Sequence, residues 1–425
     1  MIANLLYNAL LPLGLAGVRA AALGNAKVRE AIAGRRGYAA RWEDLRARLD
    51  ARPVWFHVAS VGEFEQARPV ITALARTRPG IPVMLTFSSP SGLHFARRRE
   101  AAGTGPLISF VDYLPADTRG RMDFCLDCAN PRLLVFVKFD LWPNLIRRTY
   151  QRGVPMVMID ATLSPSSHRL SAAGRWFYRP LYLALDKILA ISTDDAARFA
   201  LSAPAHPCVR VAGDTRFDRV MERWNERGAT GFDVERDADT RVVIAGSTWP
   251  LDEANLLPAL ARLLGERANV VAVLAPHEPG AERVQELRDW ARAAGLSVRL
   301  ASEPPGPARV VIIDSVGVLA DAYRLADVAY VGGSFSTGVH SVIEPAIAGL
   351  PVLFGPVHDN SFEALQLHAR GGGFPVADAG QIHARLAALL EREEDRRRAG
   401  ESARAYVTSQ LGATAKCVAE IEEFL

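Results

Sequence analysis

A glutamate follows the first β-branched run of the chain, at the end of segment 57–63 (HVASVGE). The run at 54–58 predicts a buried strand, which places Glu63 at the start of the next helix. Gly62 lets the backbone approach a ligand closely, and the Glu63 carboxylate can then accept a proton from an attacking hydroxyl group. A structural role is the alternative, because the helix dipole stabilises an acidic side chain in the first helical turn.

A second acidic residue, Asp140, follows the run at 133–137, in segment 138–144 (KFDLWPN). In a functional interpretation it supplies a second acid on the wall of the same cleft. In a structural interpretation it is a helix N-cap, because Pro143 is typical of a first helical turn and aspartate is a favoured cap.

Glycine-rich and hydroxyl-rich segments follow the predicted strands of the second half. They are 246–248 (GST), 276–277 (PH), 331–334 (VGGS) and 338–345 (GVHSVIEP). Such turns bind anions where they lead into a helix, because free N–H groups and the helix dipole converge there. Several of them at successive strand ends predict a nucleotide-binding face. For His277 taken alone, a packed or surface histidine is the alternative.

The sequence lacks the motifs of several other enzyme classes. GxxxxGK[ST], HExxH and GxSxG are absent, and no GxGxxG follows the first strand of either half. These absences argue against P-loop hydrolases, zinc proteases, α/β-hydrolases and dinucleotide dehydrogenases. Cys125 and Cys128 form one CxxC pair, but no second pair completes a zinc site, so we expect no metal.

Short apolar runs alternate with Ala/Leu/Arg-rich stretches, a pattern typical of parallel sheets covered by helices on both faces. The runs are 54–58, 83–86, 133–137, 155–159, 187–191 and 209–211, then 242–245, 270–275, 310–313, 328–331 and 352–354. Eleven strands are too many for one sheet, so the pattern predicts two doubly wound α/β domains, residues 1–212 and 213–425, joined within 214–240. We expect ligands in a cleft at the carboxyl ends of both sheets.

Composition agrees with a multidomain globular protein. The chain has 425 residues, which is long for a single core, and 49% are hydrophobic and 23% charged, which excludes wholesale disorder. A net charge of +3 gives no indication of nucleic-acid binding. Four cysteines are too few for a disulfide framework, so we expect a reducing compartment.

The first 23 residues are the one compositional anomaly, with a Leu/Ala-rich run at 5–18 followed by arginines and lysines. The run is shorter than the roughly 20 residues that span a bilayer, and it lacks the basic start of a signal peptide. Apolar residues followed by cations favour a helix that lies in or dips into the inner leaflet, with the cations at the headgroups. A buried first helix of a soluble domain is the alternative.

Seven segments follow one another along the chain: HxxSxGE after the first strand, LWPN, GDTRFD, GST, a Pro-His pair, GGS, and an EP-containing helix before GLPVLFGP. In this order they resemble the 3-deoxy-D-manno-octulosonic acid (Kdo) transferases of lipid A assembly. The resemblance extends from the N-terminal apolar helix to about Glu363. It implies the B-type glycosyltransferase fold, with an acceptor-binding first domain, a CMP-sugar-binding second domain and a membrane-associating N-terminal helix.

The resemblance also implies an activity, a location and site residues. The activity is transfer of Kdo from CMP-Kdo to a lipid A precursor (lipid IVA) in lipopolysaccharide core biosynthesis, at the cytoplasmic face of the inner membrane, without a cofactor, metal or covalent intermediate. The proton acceptor falls on Glu63, an acid that stabilises the transition state on Asp140 (Glu in the family), and a basic residue on Arg216 (Lys in the family). Donor-nucleotide contacts fall on Pro276, His277, Val316, Gly317, Val318, Ser341, Val342, Ile343 and Glu344.

Two alternatives stay open at this point. One is another B-type glycosyltransferase that uses a UDP-sugar on a different membrane lipid. The other is a non-catalytic two-domain protein that binds a sugar or nucleotide, which would keep its ligand after the loss of Glu63.

Overall fold

The structure of the protein is a computed structural model that describes residues 2–101, 108–226 and 232–425. The chain forms two compact units, Met1–Arg219 with Leu411–Leu425, and Val220–Gln410. Residues 227–231, inside the segment predicted to join the domains, lie outside the described residues.

The first unit contains a seven-stranded parallel sheet. Its strands are β1 (Val54–Val58), β2 (Val83–Phe87), β3 (Phe110–Tyr113), β4 (Leu133–Val137), β5 (Met156–Ala161), β6 (Lys187–Ala190) and β7 (Val209–Val211). Its helices are α1 (Ile2–Gly24), α2 (Ala26–Gly34), α3 (Tyr38–Arg48), α4 (Val61–Thr77), α5 (Pro90–Ala101), α6 (Arg119–Ala129), α7 (Pro143–Gln151), α8 (Ala172–Tyr182), α9 (Thr193–Ser202) and the first half of α10 (Thr215–Asn225). The strand order is β3-β2-β1-β4-β5-β6-β7.

The second unit contains another seven-stranded parallel sheet. Its strands are β8 (Arg241–Thr248), β9 (Val270–Pro276), β10 (Val298–Leu300), β11 (Val310–Ile312), β12 (Val328–Val331), β13 (Val352–Phe354) and β14 (Gly373–Pro375). Its helices are α11 (Pro250–Glu266), α12 (Ala281–Ala293), α13 (Leu319–Ala322), α14 (Ile343–Ile347), α15 (Phe362–Ala369), α16 (Ala379–Glu391) and α17 (Glu393–Ser409). The strand order is β10-β11-β9-β8-β12-β13-β14.

Successive residues of the central strands pack into opposite layers, as a two-residue period requires. In β1, Trp55 belongs to one buried apolar cluster, whereas Val54 and Phe56 belong to the other. In β4, Phe136 belongs to the same cluster as Trp55, and Val135 belongs to the other. Both faces of the sheet are therefore buried, which explains the apolar runs in the sequence.

The predicted fold class, two doubly wound α/β domains with an apolar N-terminal helix, is confirmed. Eleven of the fourteen described strands were predicted, and the other three are β3, β10 and β14. Each of these three lies at an edge of its sheet. They are only three or four residues long, and Asp112, Arg299 or Gly373 interrupts the apolar pattern that marks the other strands.

The division of the chain differs from the predicted boundary after residue 212. Residues 213–219 and Leu411–Leu425 pack with the first unit. A last helix, α18 (Ala413–Glu422), contributes Cys417 and Ile421 to the same buried cluster as β1. The Asp218 carboxylate accepts hydrogen bonds from Gly412 N (2.7 Å) and Thr414 N (2.6 Å), which fixes the start of this helix.

Helix α1 is longer than the apolar run suggested, because the helix continues through the alanines after Val18. By length and composition its 23 residues are enough to cross a membrane. Its first two turns are attached to the first unit: Tyr7 Oη donates to Asp117 Oδ2 (2.9 Å), and Asn8 and Asn144 exchange side-chain hydrogen bonds.

Candidate active site

The two predicted acids follow the two strands between which the order of the first sheet reverses. The chain fills one side of β1 with β2 and β3 and then crosses to β4 on its other side. In open α/β sheets, ligands bind beyond the carboxyl ends of the strands at such a switch point. Glu63 follows β1, and Asp140 follows β4.

Asp140 lies in a network of polar side chains. Its Oδ2 atom lies 3.1 Å from His57 Nε2, accepts a hydrogen bond from Ser88 Oγ at 2.7 Å, and lies 3.2 Å from Trp142 Nε1. Asp140 does not cap α7, because the carboxylate that accepts from the first amides of that helix belongs to Asp117. The structural alternative for Asp140 is therefore wrong.

His57 is held on both sides of its ring. Thr86 Oγ1 accepts a hydrogen bond from Trp55 Nε1 at 2.8 Å, because an indole nitrogen can only donate, and it lies 2.9 Å from His57 Nδ1. On the other side, His57 Nε2 lies 3.1 Å from Asp140 Oδ2. Trp142 Nε1 is within donating distance of both His57 Nε2 (3.0 Å) and Asp140 Oδ2 (3.2 Å).

Glu63 is almost completely buried at the start of α4. Ser60 Oγ accepts from Glu63 N (3.3 Å), and Glu63 Oε2 accepts from Ala59 N. This pair resembles a reciprocal helix cap, so the structural role expected as an alternative is present. One carboxylate oxygen is oriented by the backbone of the loop after β1.

The pKa values of the two acids move in opposite directions. Burial raises the pKa of Glu63, and the negative charge of Asp140 raises it further, against the lowering effect of the Ala59 amide. Burial also raises the pKa of Asp140, but the hydrogen bonds from His57, Ser88 and Trp142 outweigh it, so its pKa is below the ordinary value. Such divergence is typical of a site in which one acid moves a proton and the other stays charged.

Arg216 is held by a buried aspartate in its own segment. Asp214 accepts from Arg216 N (2.9 Å) and Nε (2.8 Å), and its Oδ2 lies 2.6 Å from Arg216 Nη2. Burial raises the pKa of Asp214, but the Arg216 charge outweighs it and leaves that pKa below the ordinary value. The charge of Lys138, which follows β4, lowers the pKa of both Asp214 and Glu63. The structure thus brings Glu63, Asp140 and Arg216 to the same edge of one sheet.

Strained backbone occurs at these strand ends. Four non-glycine residues in the described ranges have positive φ, and three of them, Lys138 (61°), Asp160 (49°) and Ser247 (54°), lie at the carboxyl ends of β4, β5 and β8. Each such residue costs on the order of 1–3 kcal/mol and persists where surrounding contacts enforce it, often at functional sites.

In the second unit, His277 stacks on two other rings. Trp249 Nε1 donates to His340 Nε2 at 2.8 Å, and the two rings lie side by side, 15° from coplanar. The His277 ring centroid is 4.7 Å from that of Trp249 and 4.4 Å from that of His340. His277 is exposed, so this three-ring stack can extend onto an aromatic ligand.

The other predicted nucleotide contacts lie in two segments of the second unit. Val316 is exposed, and Gly317 has a φ of +96° and accepts a hydrogen bond from Arg223 Nη2 at 2.7 Å. Ser341 Oγ donates to Glu344 at the start of α14. Of the predicted nucleotide contacts, His277 lies in a stack of rings. The aliphatic side chains of Val318 and Ile343 can offer a nucleotide only apolar contact.

Two amides of the glycine loop after β12 are bonded to one buried carboxylate. Gly333 N donates to Asp252 Oδ2 (2.7 Å) and Phe335 N to Asp252 Oδ1 (3.2 Å). A Cβ atom on Gly332 would lie 2.4 Å from the Ser247 carbonyl oxygen, so this glycine is required for close packing of β12 beside β8. A buried carboxylate from α11 thus occupies two of the amides that an anion bound at this turn would need.

Comparison with known proteins places the chain in a family. A family model described as 3-Deoxy-D-manno-octulosonic-acid transferase (kdotransferase) matches residues 30–219. The 3-deoxy-D-manno-octulosonic acid transferase of Bordetella pertussis is 32% identical over 394 residues, which cover 88% of this chain and 88% of that protein. The chain belongs to the Kdo transferase family. The protein of the same name from Haemophilus influenzae is 25% identical over 380 residues, 88% of this chain and 87% of its own length.

Membership of the Kdo transferase family confirms the predicted resemblance and the predicted glycosyltransferase class, and it excludes the non-catalytic alternative. The UDP-GlcNAc 2-epimerase from Neisseria meningitidis, solved with UDP-GlcNAc bound, aligns with a TM-score of 0.60 at 14% identity, over 87% of this chain and 98% of its own. At that identity the likeness shows the fold alone, which confirms the B-type glycosyltransferase fold.

Several residues of the two candidate clusters, one in each unit, were missed by sequence reasoning. They are His57, Ser88, Trp142, Trp249, Asp252 and His340. His57 and Trp142 lie in motifs that were recognised for their neighbours. The pairing of Trp249 with His340, 91 positions apart, carries no local sequence signal.

Proposed function

We propose that this protein transfers Kdo from CMP-Kdo to a lipid A precursor, lipid IVA, with release of CMP, in lipopolysaccharide core biosynthesis. Family membership supports Kdo transfer. The observation in the structure that supports it best is the pair Glu63 and Asp140, whose pKa values diverge at the switch point of the first sheet. The first unit takes the acceptor, and the second takes the CMP-sugar.

In the proposed reaction a hydroxyl oxygen of the acceptor attacks the anomeric carbon of Kdo. The bond from that carbon to the CMP phosphate breaks, and its electron pair leaves with the phosphate. The hydroxyl proton passes to Glu63, whose raised pKa makes it a better proton acceptor than an ordinary glutamate. Asp140, fixed by His57 and kept ionised, supplies the negative charge that stabilises the developing positive charge on the sugar.

Arg216 neutralises the negative charge that develops on the departing phosphate. Its guanidinium is 40% exposed and already oriented by Asp214, so it needs little rearrangement to meet an anion. In the second unit the His277 ring, stacked on Trp249 and His340, provides a surface for the cytosine base. The reaction requires no metal or cofactor.

The proposed location is the cytoplasmic face of the inner membrane, where α1 lies on the bilayer. Leu5, Leu6, Leu10 and Leu13 are each about half exposed or more. The polar contacts of Tyr7 and Asn8 hold the opposite side of the helix against the first unit. Exposed cations that follow, among them Arg19 and Lys27, can meet anionic headgroups at about 1 kcal/mol each.

Incubation of the purified protein with CMP-Kdo and a tetra-acylated lipid A precursor tests the proposal. We expect a Kdo-modified lipid and an equal amount of CMP. Parallel reactions with UDP-sugars test the UDP-sugar alternative. Transfer from a UDP-sugar but not from CMP-Kdo would overturn the proposal.

A further inference from the structure

An apolar cavity of about 750 Å³ lies in the first unit, next to the ends of β3 and β4. Helices α1 and α2 form one wall with Leu11, Leu15 and Ile32, and Leu114 and Trp142 form the opposite wall. This volume is within the range of ligand sites, about 300–1,000 Å³.

Four arginines line the same cavity, Arg19, Arg35, Arg36 and Arg121. Arginines elsewhere in the first unit commonly pair with carboxylates, as Arg41 does with Asp112. Within the described residues, none of the four forms an ion pair with a carboxylate. Their positive charge is therefore available to a ligand.

Arg35 is the most enclosed of these cations. Its guanidinium donates to three carbonyl oxygens, those of Leu114 (2.8 Å), Ala31 (2.9 Å) and Ser88 (2.8 Å). Carbonyl groups orient a guanidinium but do not neutralise it, and within the described residues no carboxylate forms an ion pair with Arg35, although the charges of Asp112 and Asp140 act on it from a distance. A cation enclosed in this way can form a charge-assisted hydrogen bond with an anionic ligand. Because Ser88 also donates to Asp140, Arg35 lies at the border of the candidate active site.

Asp117 is the single acidic residue among the described residues that line the cavity, and its carboxylate already accepts hydrogen bonds from other groups. Its oxygens accept from Tyr7 Oη (2.9 Å), Asn144 N (2.8 Å) and Leu145 N (2.9 Å). It therefore leaves the arginines uncompensated. The cavity combines an apolar interior with a cationic lining, which is complementary to a molecule that carries both an acyl chain and a phosphate.

On the basis of the proposed function, we propose that this cavity is the subsite for an acyl chain and a phosphate of the acceptor lipid. The apolar walls take the acyl chain, and Arg19, Arg35, Arg36 and Arg121 take the phosphate. Trp142 lines the cavity and hydrogen-bonds Asp140 on its other side, so a lipid seated here has its sugar next to the candidate catalytic acids.

Two glycines of α1 provide a matched test of the apolar part. A Cβ atom at Gly14 or Gly17 meets nothing within 4 Å, but only Gly14 lines the cavity. Gly14→Phe fills the cavity, whereas Gly17→Phe adds the same apolar surface to the same helix outside it. We expect Gly14→Phe to raise the KM for the acceptor about 10-fold or more, with the KM for CMP-Kdo unchanged, and Gly17→Phe to leave both unchanged. Equal acceptor KM values for the two variants would overturn the subsite.

Arginine substitutions test the phosphate part. Arg36→Ala and Arg121→Ala each remove a lining cation, and Arg29→Ala removes an exposed arginine of α2 that does not line the cavity. Hydrogen bonds between an arginine and a phosphate are charge-assisted and among the stronger ones, so we expect the acceptor KM to rise roughly 10-fold in the first two variants only. With a dephosphorylated acceptor the difference from wild type should vanish. A difference that persists without the phosphate would overturn its assignment to these arginines.

Equilibrium binding separates this proposal from the proposed function. The acceptor lipid, dispersed in detergent, is titrated into full-length wild type, Gly14→Phe and Gly17→Phe in the absence of CMP-Kdo. Weaker binding to Gly14→Phe alone supports the subsite even if wild type transfers no Kdo. Equal binding by all three overturns the subsite even if wild type is an active Kdo transferase.

Discussion

His57 Nε2, in β1, lies 3.1 Å from Oδ2 of Asp140, a residue that follows the adjacent strand β4. The histidine is fully buried, and its other ring nitrogen is 2.9 Å from Thr86 Oγ1. The orientation and charge of Asp140 thus depend on a chain of hydrogen bonds that begins at Trp55, behind the site.

Thr86→Val tests this dependence. The change keeps the shape of the side chain but removes the hydroxyl that Trp55 and His57 share. Leaving buried groups unpaired costs about 1–3 kcal/mol, so we expect a lower free energy of unfolding in urea and a lower kcat with little change in either KM. Thr149→Val is the control, because the buried Thr149 hydroxyl makes no hydrogen bond within the described residues. Similar losses in both variants would contradict a positioning role for His57.

Glu63→Gln tests the proton acceptor. The amide keeps the size of the side chain but accepts no proton, so we expect kcat to fall on the order of 100-fold or more, with CMP-Kdo binding little changed. Glu43→Gln, at an exposed glutamate of α3, should leave kcat unchanged. Near-normal turnover by Glu63→Gln would leave Glu63 only its helix-capping role.

The pH dependence of kcat/KM follows from the direction of the Glu63 shift. Protonation removes the accepting form, so the rate falls as pH decreases through the Glu63 pKa. Because burial raises this pKa above its ordinary value of 4.5, the fall begins at a higher pH than for an exposed glutamate. Asp140→Asn removes a charge that raises the Glu63 pKa, so the acid limb of its residual activity should move to lower pH. If the acid limb of the pH profile does not move in Asp140→Asn, the group that titrates is not Glu63.

Arg216 offers a graded test. Arg216→Ala removes the cation that we propose neutralises the leaving phosphate, and we expect a fall in kcat that exceeds any change in acceptor binding. Arg216→Lys should recover much of the rate, because it keeps the charge. Arg210→Ala is the control, since Arg210 lies on β7 and pairs with Glu420. A rate for Arg216→Ala equal to that of wild type would show that Arg216 only braces Asp214.

Membrane binding by α1 is tested without removing the helix. Deletion of residues 1–23 would also remove Tyr7 and Asn8, the hydrogen-bond partners of Asp117 and Asn144. Leu10→Gln with Leu13→Gln instead changes only side chains that are 60% and 70% exposed. We expect weaker co-sedimentation with anionic vesicles and lower activity on vesicle-embedded acceptor. Leu251→Gln, at an exposed leucine of the second unit, should sediment as wild type does. Unchanged sedimentation of the double variant would argue against α1 as the contact.

Sequence reasoning located strands where a single local segment carries the information. The run at β4 is apolar throughout, and the run at β1 is interrupted only by His57. Both strands were therefore predicted, and Glu63 and Asp140 lie just beyond them, whereas the catalytic roles of these two residues stay predictions. Sequence reasoning failed where distant segments meet. The side chain that occupies the Gly333 amide belongs to Asp252 on another element, and nothing near Gly333 in the sequence indicates this. The edge strand β14 was missed for a different reason, since a Gly-Phe-Pro sequence has no strand pattern of its own.

The return of Leu411–Leu425 to the first unit affects the order in which the protein can be assembled. A ribosome completes β1 early, but Cys417 and Ile421, which pack in the same buried cluster, are synthesised only after the whole second unit. All seven strands of the first sheet are present once Val211 has been synthesised, but the apolar cluster that includes residues of α4 stays incomplete until the last helix follows the second unit.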